Sequence, residues 1–291
     1  MKSRTFRISF LLLIIWSNSP VLIAAEPTAQ IPFKLRGGFA IVVSGAIGSQ
    51  DNLNFLVDTG AVPSVVHQRL ANKLNLSGPR EDISVVSQNH SVERVVLPHM
   101  RLGLLEFPSV SAVVVDLAPI EKQLGLRLDA IVGLDVLGGQ NLTIDYRKCE
   151  ILIGVAATNG EAIPFELLSE ANAPYVVVRM ETNSQVVRLL LDTGADSITL
   201  FAARLKGRAL AAQKSGARKD VSASGEYAVE QVQLRDVKLG GVNRGRRQAT
   251  MVDVPARASQ DFDGMLGPTS LGITRLAFDF RGKILYLQIE R

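Results

Sequence analysis

Two aspartates occupy the same place in two copies of one short phrase. Phe55–Val66 reads FLVDTGAVPSVV and Leu189–Leu200 reads LLLDTGADSITL, which sets Asp58 and Asp192 192 − 58 = 134 positions apart. Two carboxylates held close together cannot readily both ionise, so they share a proton and titrate as a pair. The repeat implies that the fold brings this pair together as the active site. The surrounding residues suit that task. Each apolar triplet reads as a strand that delivers its aspartate to the end of a sheet. Gly60 and Gly194 permit a tight turn that a Cβ would obstruct. Thr59 and Thr193 are stiff at χ1 and carry a hydroxyl able to bond nearby backbone.

The repeat extends well beyond this phrase. At the same offset, Asp129–Gly133 (DAIVG) meets Asp263–Gly267 (DGMLG), and Leu142–Tyr146 (LTIDY) meets Leu276–Phe280 (LAFDF). Ile151–Ile153 meets Leu285–Leu287. Upstream, Ile31-Pro-Phe33 matches Ile163-Pro-Phe165 at an offset of 163 − 31 = 132, which places a two-residue insertion near Ser49–Asn52. Two copies are too few for a solenoid and imply a pair of lobes in pseudo-two-fold contact.

Asp-Thr-Gly-Ala followed later by an apolar-apolar-Gly triplet, Ile131-Val132-Gly133 and Met265-Leu266-Gly267, resembles the signature of retropepsin-like aspartic proteases. The resemblance runs from about Ile31 to the C-terminus and is closest to a single chain of the bacterial exported type. It implies a mainly β fold: two pseudo-symmetric closed β-barrel lobes with a few short helices. Domains are expected at 31–153 and 163–291, joined by a linker at 154–162. The resemblance also implies that the apolar triplets pack against the loops carrying Thr59, Gly60 and Ala61 and Thr193, Gly194 and Ala195. Retroviral members dimerise one lobe per chain, whereas this sequence looks like two such lobes fused, hence a monomer. Mobile flap hairpins are expected at 84–96 and 220–232, with tips at Asn89 and His90 and at Ser224 and Gly225. The second copy, Asp-Thr-Gly-Ala-Asp196, is nearer the retroviral wording, and Asp196 is expected to touch substrate. The first has Val62-Pro63-Ser64, where Pro63 lacks a backbone donor.

The function so implied is peptide-bond hydrolysis without a metal or other cofactor. One carboxylate takes a proton from water while its protonated partner polarises the scissile carbonyl. An extended peptide or protein substrate would lie between dyad and flaps, held by strand-like bonds. The alternative is a peptide-binding module that keeps the fold without catalysis.

Composition narrows the setting. The chain has 291 residues, 47% hydrophobic, with a net charge of +4, which suits two globular lobes and gives no case for nucleic acid. Met1–Ala25 reads as a signal peptide: Lys2, Arg4 and Arg7 precede the apolar run Phe10–Trp16, and Ala24-Ala25 offers a cleavage edge. A periplasmic or secreted protein is therefore expected, free of the membrane after cleavage; an uncleaved anchor is the other reading. Cys149 is the single cysteine, so no intramolecular disulfide exists. His67, His90 and His99 lack metal-ligand spacing, and Ser64 and Ser197 lack a nucleophile elbow. Asp145 and Asp279 read as turn residues. A helix is expected near His67–Leu76, a helical turn over Pro119–Leu124, and a helix with a loop over Ala203–Lys219.

Overall fold

The computed structural model describes residues 28–85, 88–170, 173–208, 213–222, 225–253 and 261–290. The first lobe contains β1 (Ala29–Arg36), β2 (Ala40–Ile47), β3 (Gln50–Val57), β4 (Ser64–His67), β5 (Arg80–Val85), β6 (Gln88–Leu102), β7 (Leu105–Val115), β8 (Ala130–Val132), β9 (Leu142–Asp145) and β10 (Glu150–Ile153). Three short helices join them: α1 (Gln68–Lys73), α2 (Ala118–Leu124) and α3 (Leu134–Leu137). The second lobe contains β11 (Glu161–Glu170), β12 (Ala173–Thr182), β13 (Gln185–Leu191), β14 (Ile198–Phe201), β15 (Gln213–Ser222), β16 (Gly225–Leu239), β17 (Val242–Val252), β18 (Gly264–Leu266), β19 (Ile273–Asp279) and β20 (Ile284–Ile289).

Each lobe closes on itself. In the first, strand pairings run β2–β3–β8–β4–β7–β6 and return to β2. In the second, β12–β13–β18–β14–β17–β16 closes back to β12. Closure leaves these rings without a free edge. Alternation along the strands fills the interiors with Val, Leu, Ile and Phe. β3 buries Phe55, Leu56 and Val57, and β13 buries Leu189, Leu190 and Leu191, each at or below 4% exposure.

A six-stranded antiparallel sheet, β1–β10–β9–β19–β20–β11, ties the lobes together. At its centre Thr143 pairs with Ala277, and these residues are 277 − 143 = 134 positions apart. The pseudo-two-fold axis therefore passes through this pair. Between β10 and β11, residues 154–160 are tied down: the Gly154 amide donates to Asn141 O at 2.7 Å and the Ala157 amide to Thr143 Oγ1 at 3.0 Å.

Three expectations require correction. The offset change does not arise near Ser49–Asn52. Phe33 pairs with Val43 and Phe165 with Val178, so the β11–β12 hairpin is three residues longer than the β1–β2 hairpin. A bulge between Gly45 and Ile47 then gives one residue back to the first lobe. The tip at Asn89 and His90 is also displaced: Val85 pairs with Gln88, Ser84 with Asn89 and Ile83 with His90, so both lie on the return strand. The polar run from Gln88 onward is strand. The helix expected over Ala203–Lys219 is a 3₁₀ turn at Ala202–Leu205, with strand β15 from Gln213. Pairing with β16 overrides the alanine-rich helical propensity.

Candidate active site

Both aspartates leave the last residue of a buried strand. Strand β3 lies parallel to β8, with Leu56 opposite Ile131 and Val57 opposite Val132, and β13 lies parallel to β18, with Leu190 opposite Met265 and Leu191 opposite Leu266. The ladder then continues one step: the Asp58 amide donates to Val132 O and the Asp192 amide to Leu266 O, each at 3.0 Å. The turn that follows binds its own carboxylate. Gly60 N–H donates to Asp58 Oδ1 and Gly194 N–H to Asp192 Oδ1, both at 2.8 Å. The glycines ending the apolar triplets seat each loop from below. A Cβ on Gly133 would lie 1.8 Å from Ala61 O, and one on Gly267 would lie 2.3 Å from Ala195 O.

The threonines reach further than their own turns. Thr59 Oγ1 donates to Leu191 O at 2.7 Å and accepts from the Thr193 amide at 3.1 Å. Thr193 Oγ1 donates to Val57 O at 3.0 Å and accepts from the Thr59 amide at 3.0 Å. Both residues are buried. Each hydroxyl thus uses its donor and an acceptor lone pair on the opposite lobe, and the two aspartate loops are locked to each other. Any loss would leave buried backbone groups unsatisfied.

This lock presses the two carboxyls together. They lie within hydrogen-bonding reach of one another. Each also faces the opposite glycine: a Cβ on Gly60 would lie 2.7 Å from Asp192 Cγ, and one on Gly194 would lie 2.5 Å from Asp58 Oδ2. Burial raises the Asp192 pKa well above the usual aspartate value, and the neighbouring Asp58 charge and hydrogen bond add to it. Burial also raises the Asp58 pKa, opposed by the hydrogen bond from Asp192 and by the loop amides. The pair therefore retains a shared proton to higher pH than an isolated aspartate would. A base and an acid then stand side by side, the arrangement that general acid–base chemistry on a bound water requires.

The dyad lies at the floor of an interlobe cavity of about 290 Å³. That volume suits the side chains flanking one bond of an extended chain, not a folded domain. Its first-lobe wall is mostly aliphatic, with Leu56, Val65, Val113, Val115 and Ile131 joined by Ile120 and Leu124 of α2 and by the ring of Phe39. Its second-lobe wall holds Leu190, Thr199 and Met265 beside the rings of Tyr175, Phe201 and Phe262. Helix α2 is fixed from behind. Glu121 Oε1 accepts from Arg69 Nη2 at 3.1 Å and from the Leu128 amide at 2.8 Å. Arg69 also pairs with Asp129, which in turn accepts from the Asn54 amide at the start of the β3 run into the site.

The second-lobe hairpin β15–β16 touches α2 across the cavity. Asp220 and Tyr227, opposite each other in that hairpin, both line the cavity. Burial, followed by the charges of Asp220, Asp192 and Asp196, pushes the Tyr227 hydroxyl up to about 12, so it stays a neutral donor. Asp196 lines the cavity and lies 3.7 Å from Arg218 of β15. Ser222 pairs with Gly225 at the hairpin end; Ser224 lies outside the described residues. Asn89 and His90 keep their strand positions in the β5–β6 hairpin. The signal segment 1–25 also lies outside the described residues.

Sequence reading singled out neither the three rings, nor α2, nor Tyr227 as cavity walls. They lie between 201 − 192 = 9 and 262 − 192 = 70 positions from the nearer aspartate, outside the repeated motifs, and the sole clue was their apolar character. Asp145 and Asp279 each accept turn amides, from Arg147 and Lys148 and from Gly282, as turn residues do. His67 caps α1 by accepting from the Arg69 amide at 3.1 Å. Among the described residues, no group of three His, Cys, Asp or Glu could hold a metal ion.

A family model described as aspartyl protease matches the chain twice, over residues 43–136 and 178–269. Each match spans one aspartate loop and the apolar-apolar-Gly triplet that seats it. No curated protein matches the chain.

Proposed function

The chain belongs to the aspartyl protease family, and from that premise we propose that it is an endopeptidase in which Asp58 and Asp192 together activate water. The observation that carries this reading is the contact of the two carboxyls, each against the other loop's glycine, at the floor of the interlobe cavity. In the singly protonated dyad the ionised carboxylate takes a proton from water as the water oxygen bonds to the scissile carbonyl carbon. The protonated carboxyl gives its proton to the carbonyl oxygen, and a neutral tetrahedral diol forms. On collapse one diol hydroxyl gives its proton to the carboxylate that had polarised the carbonyl, the other carboxyl passes the proton it took from water to the departing nitrogen, and the C–N bond breaks. The dyad ends as it began, with one proton.

The substrate is a peptide or an unfolded protein segment, bound extended beneath the β15–β16 hairpin. Pairing of both lobes within one chain supports a monomeric enzyme. The basic and apolar start of the sequence supports export to the periplasm or the medium, with the segment removed.

Asp58→Asn and Asp192→Asn test the proposal. Each should lower cleavage of an unfolded casein-type substrate by about 10³-fold or more, with an unchanged circular dichroism spectrum, because the acid–base pair is lost. Full turnover by either purified variant overturns it.

A further inference from the structure

The two lobes share a fold but not a wall. We propose that this cavity selects a bulky aliphatic side chain on the first-lobe side of the scissile bond and admits a small one on the second-lobe side. The inference rests on the peptidase reading above and names the substrate class for that same cavity.

Positions related by 134 make the comparison direct. Leu56, Val65 and Ile131 answer to Leu190, Thr199 and Met265, and all six line the cavity. The difference lies behind them. Phe201 stands where the first lobe has His67, and Phe262 where it has Leu128. Both rings reach the cavity, whereas His67 caps α1 and Leu128 is fully buried in the first-lobe core. Tyr175 completes the cluster: the Phe201 and Phe262 ring centroids are 5.9 Å apart, and those of Tyr175 and Phe262 6.3 Å.

This aromatic wall is full and fixed. Tyr175, Phe201 and Phe262 are 5%, 7% and 2% exposed, so little of their surface remains for a substrate side chain to cover. The Tyr175 hydroxyl donates across the interface to Val62 O at 3.1 Å, which pins its ring. A large substrate side chain on this side would have to displace packed rings, a change that costs roughly 5- to 150-fold in affinity. On the first-lobe side the aliphatic Val115, Ile120 and Leu124 are partly exposed, as is the Phe39 ring packed on the same cluster. Covering them rewards each added methylene by about 0.8 kcal/mol, so leucine there gains on alanine by roughly 10-fold or more.

Two peptides of equal composition decide the matter, one with Leu-Ala and one with Ala-Leu at its centre. Their binding to full-length Asp192→Asn protein, read by fluorescence anisotropy, should differ by at least about 10-fold. Wild-type protein should cut the tighter-binding sequence preferentially and should cut a Leu-Leu peptide no better. Leu124→Ala should reduce the leucine preference on one side of the bond alone. Phe262→Leu should admit leucine on the other side alone, and Phe201→Leu serves the same purpose if Phe262→Leu does not fold. Equal binding of the two peptides, binding of neither, or efficient cleavage at Leu-Leu overturns the inference. Selective binding without cleavage by wild type would sink the peptidase reading and leave the subsite assignment standing.

Discussion

At the residue scale, the dyad acts on stability as well as chemistry. Burial raises both aspartate pKa values, so the folded chain keeps protons that the unfolded chain has already released. Stability therefore falls as pH rises from the unfolded-state value through the folded one, and it stays reduced above that window. Asp192→Asn removes a buried carboxylate that would otherwise share this penalty. Its melting temperature at pH 7 should exceed that of wild type by a few degrees, and the two should converge near pH 3. A wild-type advantage at pH 7 would mean that the charges are better compensated than their burial implies. The same shifts place the singly protonated dyad above the usual aspartate range, so kcat/KM should peak at weakly acidic to neutral pH. A peak at or below pH 3 would contradict them. Gly133 is a second residue whose type is dictated by space. A Cβ there would lie 1.8 Å from Ala61 O, so Gly133→Ala must move the Asp58 loop. It should lower unfolding free energy by about 3 kcal/mol in a denaturant titration and abolish cleavage.

At the scale of elements, parallel pairs β3–β8 and β13–β18 aim the aspartates, and α2 shapes the wall above them. Helix α2 is only seven residues long and too short to hold itself in water. Its position depends on Glu121, which ties it to Arg69 and to the Leu128 amide. Glu121→Gln keeps the shape but weakens the charge-assisted bond. Since Ile120 and Leu124 of this helix line the cavity, KM should rise about fivefold with kcat nearly unchanged. A fall in kcat at constant KM would mean that α2 acts on the dyad and not on binding.

At the scale of the molecule, the six-stranded sheet and the threonine lock join two closed lobes into one working unit. The interface a retroviral lobe would offer to a second chain is here occupied by the other half of the same chain. Light scattering should therefore give the mass of one chain at micromolar concentration, and specific activity should not change on dilution. Activity that falls on dilution would show that a second chain completes the site.

Much of this was legible in the order of residues. The duplicated FLVDTGA and LLLDTGA phrases, with their IVG and MLG triplets 134 positions apart, name the aspartates and the two-lobed β architecture, because local strand and turn chemistry repeats wherever the same fold is built twice. Three features were decided in three dimensions. Hydroxyls of Thr59 and Thr193 choose partners 132 to 136 residues away, which no local pattern encodes. Residues such as Asn89 and His90 took strand positions because pairing register, not polarity, sets where a hairpin turns. The cavity walls came from Tyr175, Phe201, Phe262 and α2, whose aliphatic or aromatic character reads in sequence as ordinary core. Whether an apolar side chain fills a core or faces a substrate depends on what the rest of the chain leaves uncovered, and folding alone fixes that.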